Sequence, residues 1–146
     1  MILLLLPILG TSAHAQKSGL RLVGSPAIQL NVVPSGLSSS TAQDKDSSTR
    51  LLWGKRKRRS KVTVSTFSPG QKFDLEIRAM RIKNGKAAPR IRLVDGMMDT
   101  DLIVNINKQK SGSARIQYVA KVSLEQGNTE TEFADIHTVT FTITDQ

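Results

Sequence analysis

The chain has 146 residues, a length that suits one domain, and 21 Lys and Arg against 12 Asp and Glu give it a formal charge of +9. It contains no cysteine, which excludes disulfide frameworks, cysteine metal sites and thiol catalysis. With 4% aromatic and 38% apolar residues it can build one modest core but not two, and its charge favours anionic partners.

Residues 1–15 hold the apolar run Ile2-Leu3-Leu4-Leu5-Leu6-Pro7-Ile8-Leu9 and end on Ala13-His14-Ala15. An apolar stretch closed by A-x-A is the pattern of a secretory signal peptide, cleaved before Gln16. The run is too short to span a bilayer, and the mature chain is expected to have no transmembrane segment. The protein is therefore expected to be secreted, to the periplasm or the cell surface. Its removal would leave His137 as the sole histidine, which nearly excludes catalytic triads and histidine metal clusters.

Residues 16–34 read as an N-terminal strand segment, apolar from Leu20 to Val33 and stopped by Pro34. Residues 35–48 are rich in Ser and polar throughout, the composition of a flexible linker. Residues 49–146 read as strands separated by turns. Phe73, Leu75, Ile77 and Ala79 alternate with Asp74, Glu76 and Arg78; Ala114, Ile116, Tyr118, Ala120, Val122 and Leu124 alternate with polar neighbours; Val139, Phe141 and Ile143 alternate with a row of threonines. A period of two buries one face of a strand and wets the other, as antiparallel sheets do. Shorter strands are expected over Arg50–Trp53, Lys61–Phe67, Ala88–Val94 and Asp101–Ile106. Ser68-Pro69-Gly70-Gln71 suits a type II turn, and Asn84-Gly85 suits a two-residue hairpin. The expected fold is all-β, an Ig-like antiparallel β-sandwich of about seven or eight strands, with a small β-barrel as the alternative.

The run Lys55-Arg56-Lys57-Arg58-Arg59, extended by Arg50 and Lys61, is the most concentrated charge in the chain. It could hold an anionic glycan, lipid or extracellular nucleic acid through salt-sensitive contacts, with Trp53 beside it as a stacking surface; charge guarding a sheet edge is the plainer reading, and a lone tryptophan starting a strand more often belongs to the core. Residues 16–119 carry 20 basic and 7 acidic residues, whereas residues 120–146 carry one and five. Asp95, Asp99 and Asp101 could offer oxygens to Ca²⁺, although they lack the ligand spacing of an EF-hand and suit turn positions. Asp74 and Glu76 share a strand face with Arg78, which suits solvated charge better than acid–base work. No nucleophile motif accompanies His137. Neither an enzyme nor a cofactor is expected.

One feature of the N-terminal segment points to assembly. Ile28, Leu30 and Val32 form an apolar row that a polar linker would allow to reach another subunit, where strand addition could complete a neighbour's sheet. The A-x-A leader, this apolar strand, the Thr-rich alternating strands and the ending Val139-Thr140-Phe141-Thr142-Ile143-Thr144-Asp145 together resemble secreted pilin-like and spore-coat-U-like subunits. The resemblance implies an Ig-like sandwich that polymerises by donor strand at the cell surface with the help of a periplasmic chaperone. The chain differs from that pattern in lacking a cysteine pair and in having Asp145, not an aromatic, as its penultimate residue. The expected function is a non-enzymatic structural or adhesion subunit that associates with itself or with other surface subunits. The alternative is a monomeric module that binds polyanions through its Lys/Arg cluster.

Overall fold

The computed structural model describes residues 2–5, 19–24, 27–30, 41–71, 73–123 and 136–146. These residues form twelve strands and no helix: β1 (Ile2–Leu5), β2 (Leu20–Val23), β3 (Ala27–Leu30), β4 (Thr41–Asp46), β5 (Arg50–Trp53), β6 (Ser60–Phe67), β7 (Asp74–Lys83), β8 (Lys86–Ala87), β9 (Ile91–Leu93), β10 (Thr100–Ile106), β11 (Gly112–Ser123) and β12 (Thr138–Asp145). A large antiparallel sheet has the order β2-β5-β11-β7-β9, with β4 also on β11. A small one has the order β12-β6-β10-β8, and β1 and β3 make a two-stranded sheet of their own. The fold is all-β, and its sheets do not close into a barrel, so the barrel alternative is not the architecture.

The long strand β11 organises the large sheet. On one side it pairs with β7 from Ser113↔Lys83 to Lys121↔Asp74. On the other it pairs first with β5, from Gly112↔Trp53 to Arg115↔Arg50, and then with β4, from Tyr118↔Asp46 to Ser123↔Thr41. Ile116 N–H donates to Thr49 O (2.9 Å) between the two runs, so residues 41–53 follow β11 as one interrupted strand. The interruption has a local cause: an Asp46 carboxylate oxygen accepts from Ser48 N–H (3.0 Å) and from the Ser48 hydroxyl (2.8 Å), which bends the chain there.

Part of the stretch expected as a linker is thus sheet. Residues 35–40 lie outside the described residues, but Thr41–Asp46 is β4. Its polar composition suits a strand of which Gln43 and Lys45 face solvent and Ala42 is buried. A charged edge of this kind also discourages unwanted pairing.

The alternating strands bury most of the rows expected of them; Phe73 and Phe141 are half-buried, and Leu124 and the Val122 side chain lie outside the described residues. Leu51 and Trp53, Leu75 and Ile77, and Ala114, Ile116 and Tyr118 from the large sheet meet Val62, Val64, Leu102, Ile106, Val139 and Ile143 from the small one in a single core. Two turns behave differently from each other. Ser68–Gln71 closes with Gln71 N–H on Ser68 O (3.1 Å) and Gly70 at φ 70, as a type II turn requires. Asn84 at φ 62 and Gly85 at φ 146 do turn the chain, yet the flanking strands β7 and β8 belong to different sheets, so the pair makes a crossing and not a hairpin. Of the expected strand Ala88–Val94 only Ile91–Leu93 is strand, as β9 on β7. The preceding β8 pairs with β10, Ala88 N–H still donates to Leu102 O (3.0 Å), and the change of sheet falls at Pro89, which has no N–H for a ladder.

Ion pairs tie the exposed face of the large sheet. Glu76 lies between Lys121 (2.8 Å) and Arg90 (3.0 Å). The hydrogen bond from Lys121 holds the Glu76 carboxyl below its ordinary value, against some desolvation, and Arg90 adds to the effect. A depressed carboxylate contributes stability above its unfolded pKa and loses it as pH falls through the folded value. Glu76→Gln should therefore cost about 1 kcal/mol or less at neutral pH, and the deficit should vanish below the folded pKa. Urea unfolding of both proteins across the acid range checks this; a deficit that persists unchanged in acid would contradict it.

Among the described glycines, Gly112 is the one most closely approached by its neighbours. A Cβ there would strike the Trp53 indole and the Lys83 carbonyl oxygen, whereas one at Gly96 would meet nothing within 4 Å. Gly112→Ala should lower stability by about 1–3 kcal/mol through overpacking. Gly96→Ala, with φ 75 but open space, should cost less, on the order of 1 kcal/mol from backbone strain alone. Thermal melts of the two variants give the order; the reverse order would refute the packing at Gly112.

Candidate docking strand and basic loop end

Two regions carry the residues singled out by the sequence. The first is β3. Ile28 and Leu30, at 4% and 1% exposure, are packed into the core of their own chain, while Ala27 and Gln29 point outward. Val32 lies outside the described residues. The backbone of β3 joins neither large nor small sheet. It pairs antiparallel with β1, from Ile2↔Leu30 to Leu5↔Ala27. Four residues of the expected signal peptide therefore hold the main chain of the expected docking strand; Gln16 and the A-x-A site lie outside the described residues.

The second region is the end of the molecule where β5 leads into β6. Lys55, Lys57, Arg58 and Arg59 are exposed in the connecting loop. Arg56 is not free: its guanidinium pairs with Asp145 (2.7 Å) and donates to the Ser60 hydroxyl (3.3 Å). That guanidinium and a hydrogen bond from the Ser60 hydroxyl (3.0 Å) hold the Asp145 carboxyl below the usual carboxylate range. Arg56 thus fastens the loop to the end of β12, and Gln146 N–H on Arg59 O (2.7 Å) makes a second tie.

The other residues grouped with this run fall elsewhere. Trp53 is 2% exposed, with its indole over Gly112, and offers no face to a ligand. An aromatic side chain in the inward register of a strand buries a large apolar surface, and that outweighs any role as a platform. Arg50 stands exposed on β5 opposite Arg115, away from the loop. Lys61 pairs with Asp101 at 2.7 Å.

The three carboxylates considered for Ca²⁺ are divided among separate tasks. Asp95 accepts from Ser68 N–H (2.6 Å), Asp99 is 3.5 Å from the Thr63 hydroxyl, and Asp101 holds Lys61. Among the described residues no group of three His, Cys, Asp or Glu could hold a metal ion.

Four cations absent from the sequence reading join the basic end. Lys108 and Lys110 lie in the β10–β11 loop, and Lys83 and Lys86 flank the Asn84–Gly85 turn. Gln109 N–H donates to Arg56 O (2.7 Å), which joins the first two loops. The Asn84 amide donates to Lys110 O (3.0 Å), and its oxygen accepts from Asn107 N–H (2.9 Å), which joins the third. Lysines beside turn residues were the available signal, but only the sheet order brings them beside residues 55–59.

Comparison with known proteins gives no likeness to carry over: no family model, curated protein or solved structure matches the chain.

Proposed function

We propose that the protein is a secreted, non-enzymatic structural or adhesion subunit that assembles at the cell surface by β-strand addition, its two sheets forming an Ig-like sandwich. One observation carries this reading: β3 contributes Ile28 and Leu30 to the core while its main chain pairs with β1 and not with either body sheet. Removal of a leader ending at Ala15 would take β1 away and leave the β3 ladder without that partner. Strand pairing with another copy would satisfy those groups again.

The exchange suits the energetics. Moving β3 from its own core into that of a neighbour replaces each apolar contact with an equivalent one, as in domain swapping. The ten residues between β3 and β4 can span at most about 35 Å when extended, enough for β3 to leave one subunit and enter the next.

The test uses residues 16–146 carrying Ile28→Asp and Leu30→Asp, which empties the β3 site at a cost of about 2–5 kcal/mol for each lost side chain. A synthetic peptide of residues 25–33 should bind this variant and raise its melting temperature, or restore folding if the variant alone is unfolded. The same peptide with Leu30→Asp should do neither. A wild-type peptide that has no effect would overturn the strand-addition reading.

A further inference from the structure

All three connections at the basic end cross between the sheets. β5 to β6 and β7 to β8 pass from large to small, and β10 to β11 passes back. Their strands are neighbours in both sheets, β5-β11-β7 in one and β6-β10-β8 in the other. With strands about 4.8 Å apart and stacked sheets about 10 Å apart, the connections lie side by side like rungs across the end of the molecule.

Each rung is positively charged. The first carries Lys55, Lys57, Arg58 and Arg59, the second Lys108 and Lys110, the third Lys83 and Lys86; all are exposed, and the rungs contain no acidic residue. None of these eight side chains forms an ion pair among the described residues, in contrast to Arg56, Lys61, Arg90, Arg92 and Lys121. The rungs are also held firmly. Gln109 and Asn84 bond them to one another, and the buried Trp53 indole underlies Gly112 at their foot. Such a plate concentrates like charge at a cost in self-repulsion that a polyanion would relieve.

The surroundings narrow the ligand. No exposed aromatic stands on the rungs for a base to stack on, and the described residues include no helix to enter a DNA groove. Of the large exposed apolar side chains, Phe67, Val94, Met98 and Ile136 lie towards the opposite strand ends and Val23 lies on β2 opposite Arg50, so none on the rungs would insert into lipid. Charge arrayed across a flat plate remains. We propose that this end is a binding site for an anionic polysaccharide, a sugar chain bearing sulfate or carboxylate groups that lies across the three rungs. The site does not depend on strand addition and would operate in a monomer or in an assembly.

The test measures binding of the full chain to heparin and to polygalacturonate, with duplex DNA and anionic phosphatidylglycerol vesicles as competing classes. Lys108→Gln/Lys110→Gln and Lys83→Gln/Lys86→Gln should each weaken polysaccharide binding about tenfold or more, and the affinity should fall steeply with salt. Arg50→Gln, close to the basic run in sequence but off the rungs, should change it less than about twofold. The site is overturned if both lysine pairs leave binding unchanged or if Arg50→Gln costs as much as they do. It is also overturned if DNA or vesicles bind more tightly than either polysaccharide.

Discussion

The pairing of β11 along both of its edges is the constraint from which the rest of the molecule follows. Twelve residues of one strand, Gly112 to Ser123, hold β7 on one side and the interrupted strand 41–53 on the other. Its inward row of Ala114, Ile116, Tyr118 and Ala120 lies in the centre of the core. Burial pushes the Tyr118 phenol far above its ordinary pKa, with the Asp46 carboxylate adding to the shift. A strand so placed fixes which chain segments arrive at each end. At its beginning Gly112 admits the Trp53 indole, and the loops on either side are brought together.

That arrangement turns a chemical bias of the sequence into a spatial one. Lysines far apart in the chain become neighbours because three sheet crossings, β5 to β6, β7 to β8 and β10 to β11, emerge at the same end. The carboxylates Asp95 and Asp99 occupy the loop that leads into β10 from the other end. Arg56 and Asp145, one from each kind of charge, meet only to fasten the first loop to the last strand. The basic run in sequence is thus partly structural, and the exposed charge beside it extends beyond what the run contains.

The long alternating segments were legible because a period of two has one meaning when both faces are distinct: Leu75-Ile77, Ile116-Tyr118 and Val139-Ile143 all face inward as expected. What escaped was information held in pairing and not in periodicity. β4 is polar enough to read as a linker and is a strand because β11 extends past β5 to meet it. Asn84-Gly85 has the backbone of a tight turn, but turn chemistry does not say to which sheet the next strand will go. Trp53 stands beside charge in sequence, and its strand register places it in the core, the position a lone tryptophan starting a strand favours. Of the candidate site, Lys55 and residues 57–59 were visible as a run; Lys83, Lys86, Lys108 and Lys110 were not, because they join it only across the sheet.

In the proposed function the N-terminal segment links this architecture to assembly. Ile28 and Leu30 fill the core from a strand whose backbone lies outside both body sheets and rests on residues of an expected leader. On the strand-addition proposal, cleavage before Gln16 would couple export to a vacated pairing edge, and assembly would begin only after the leader is lost. The most direct measurement is the molar mass of residues 16–146 by light scattering after gel filtration, at low and at high salt. Strand addition predicts oligomers or filaments that persist at high salt, because buried apolar side chains and backbone pairing are little screened. A monomer at both salt concentrations would contradict it.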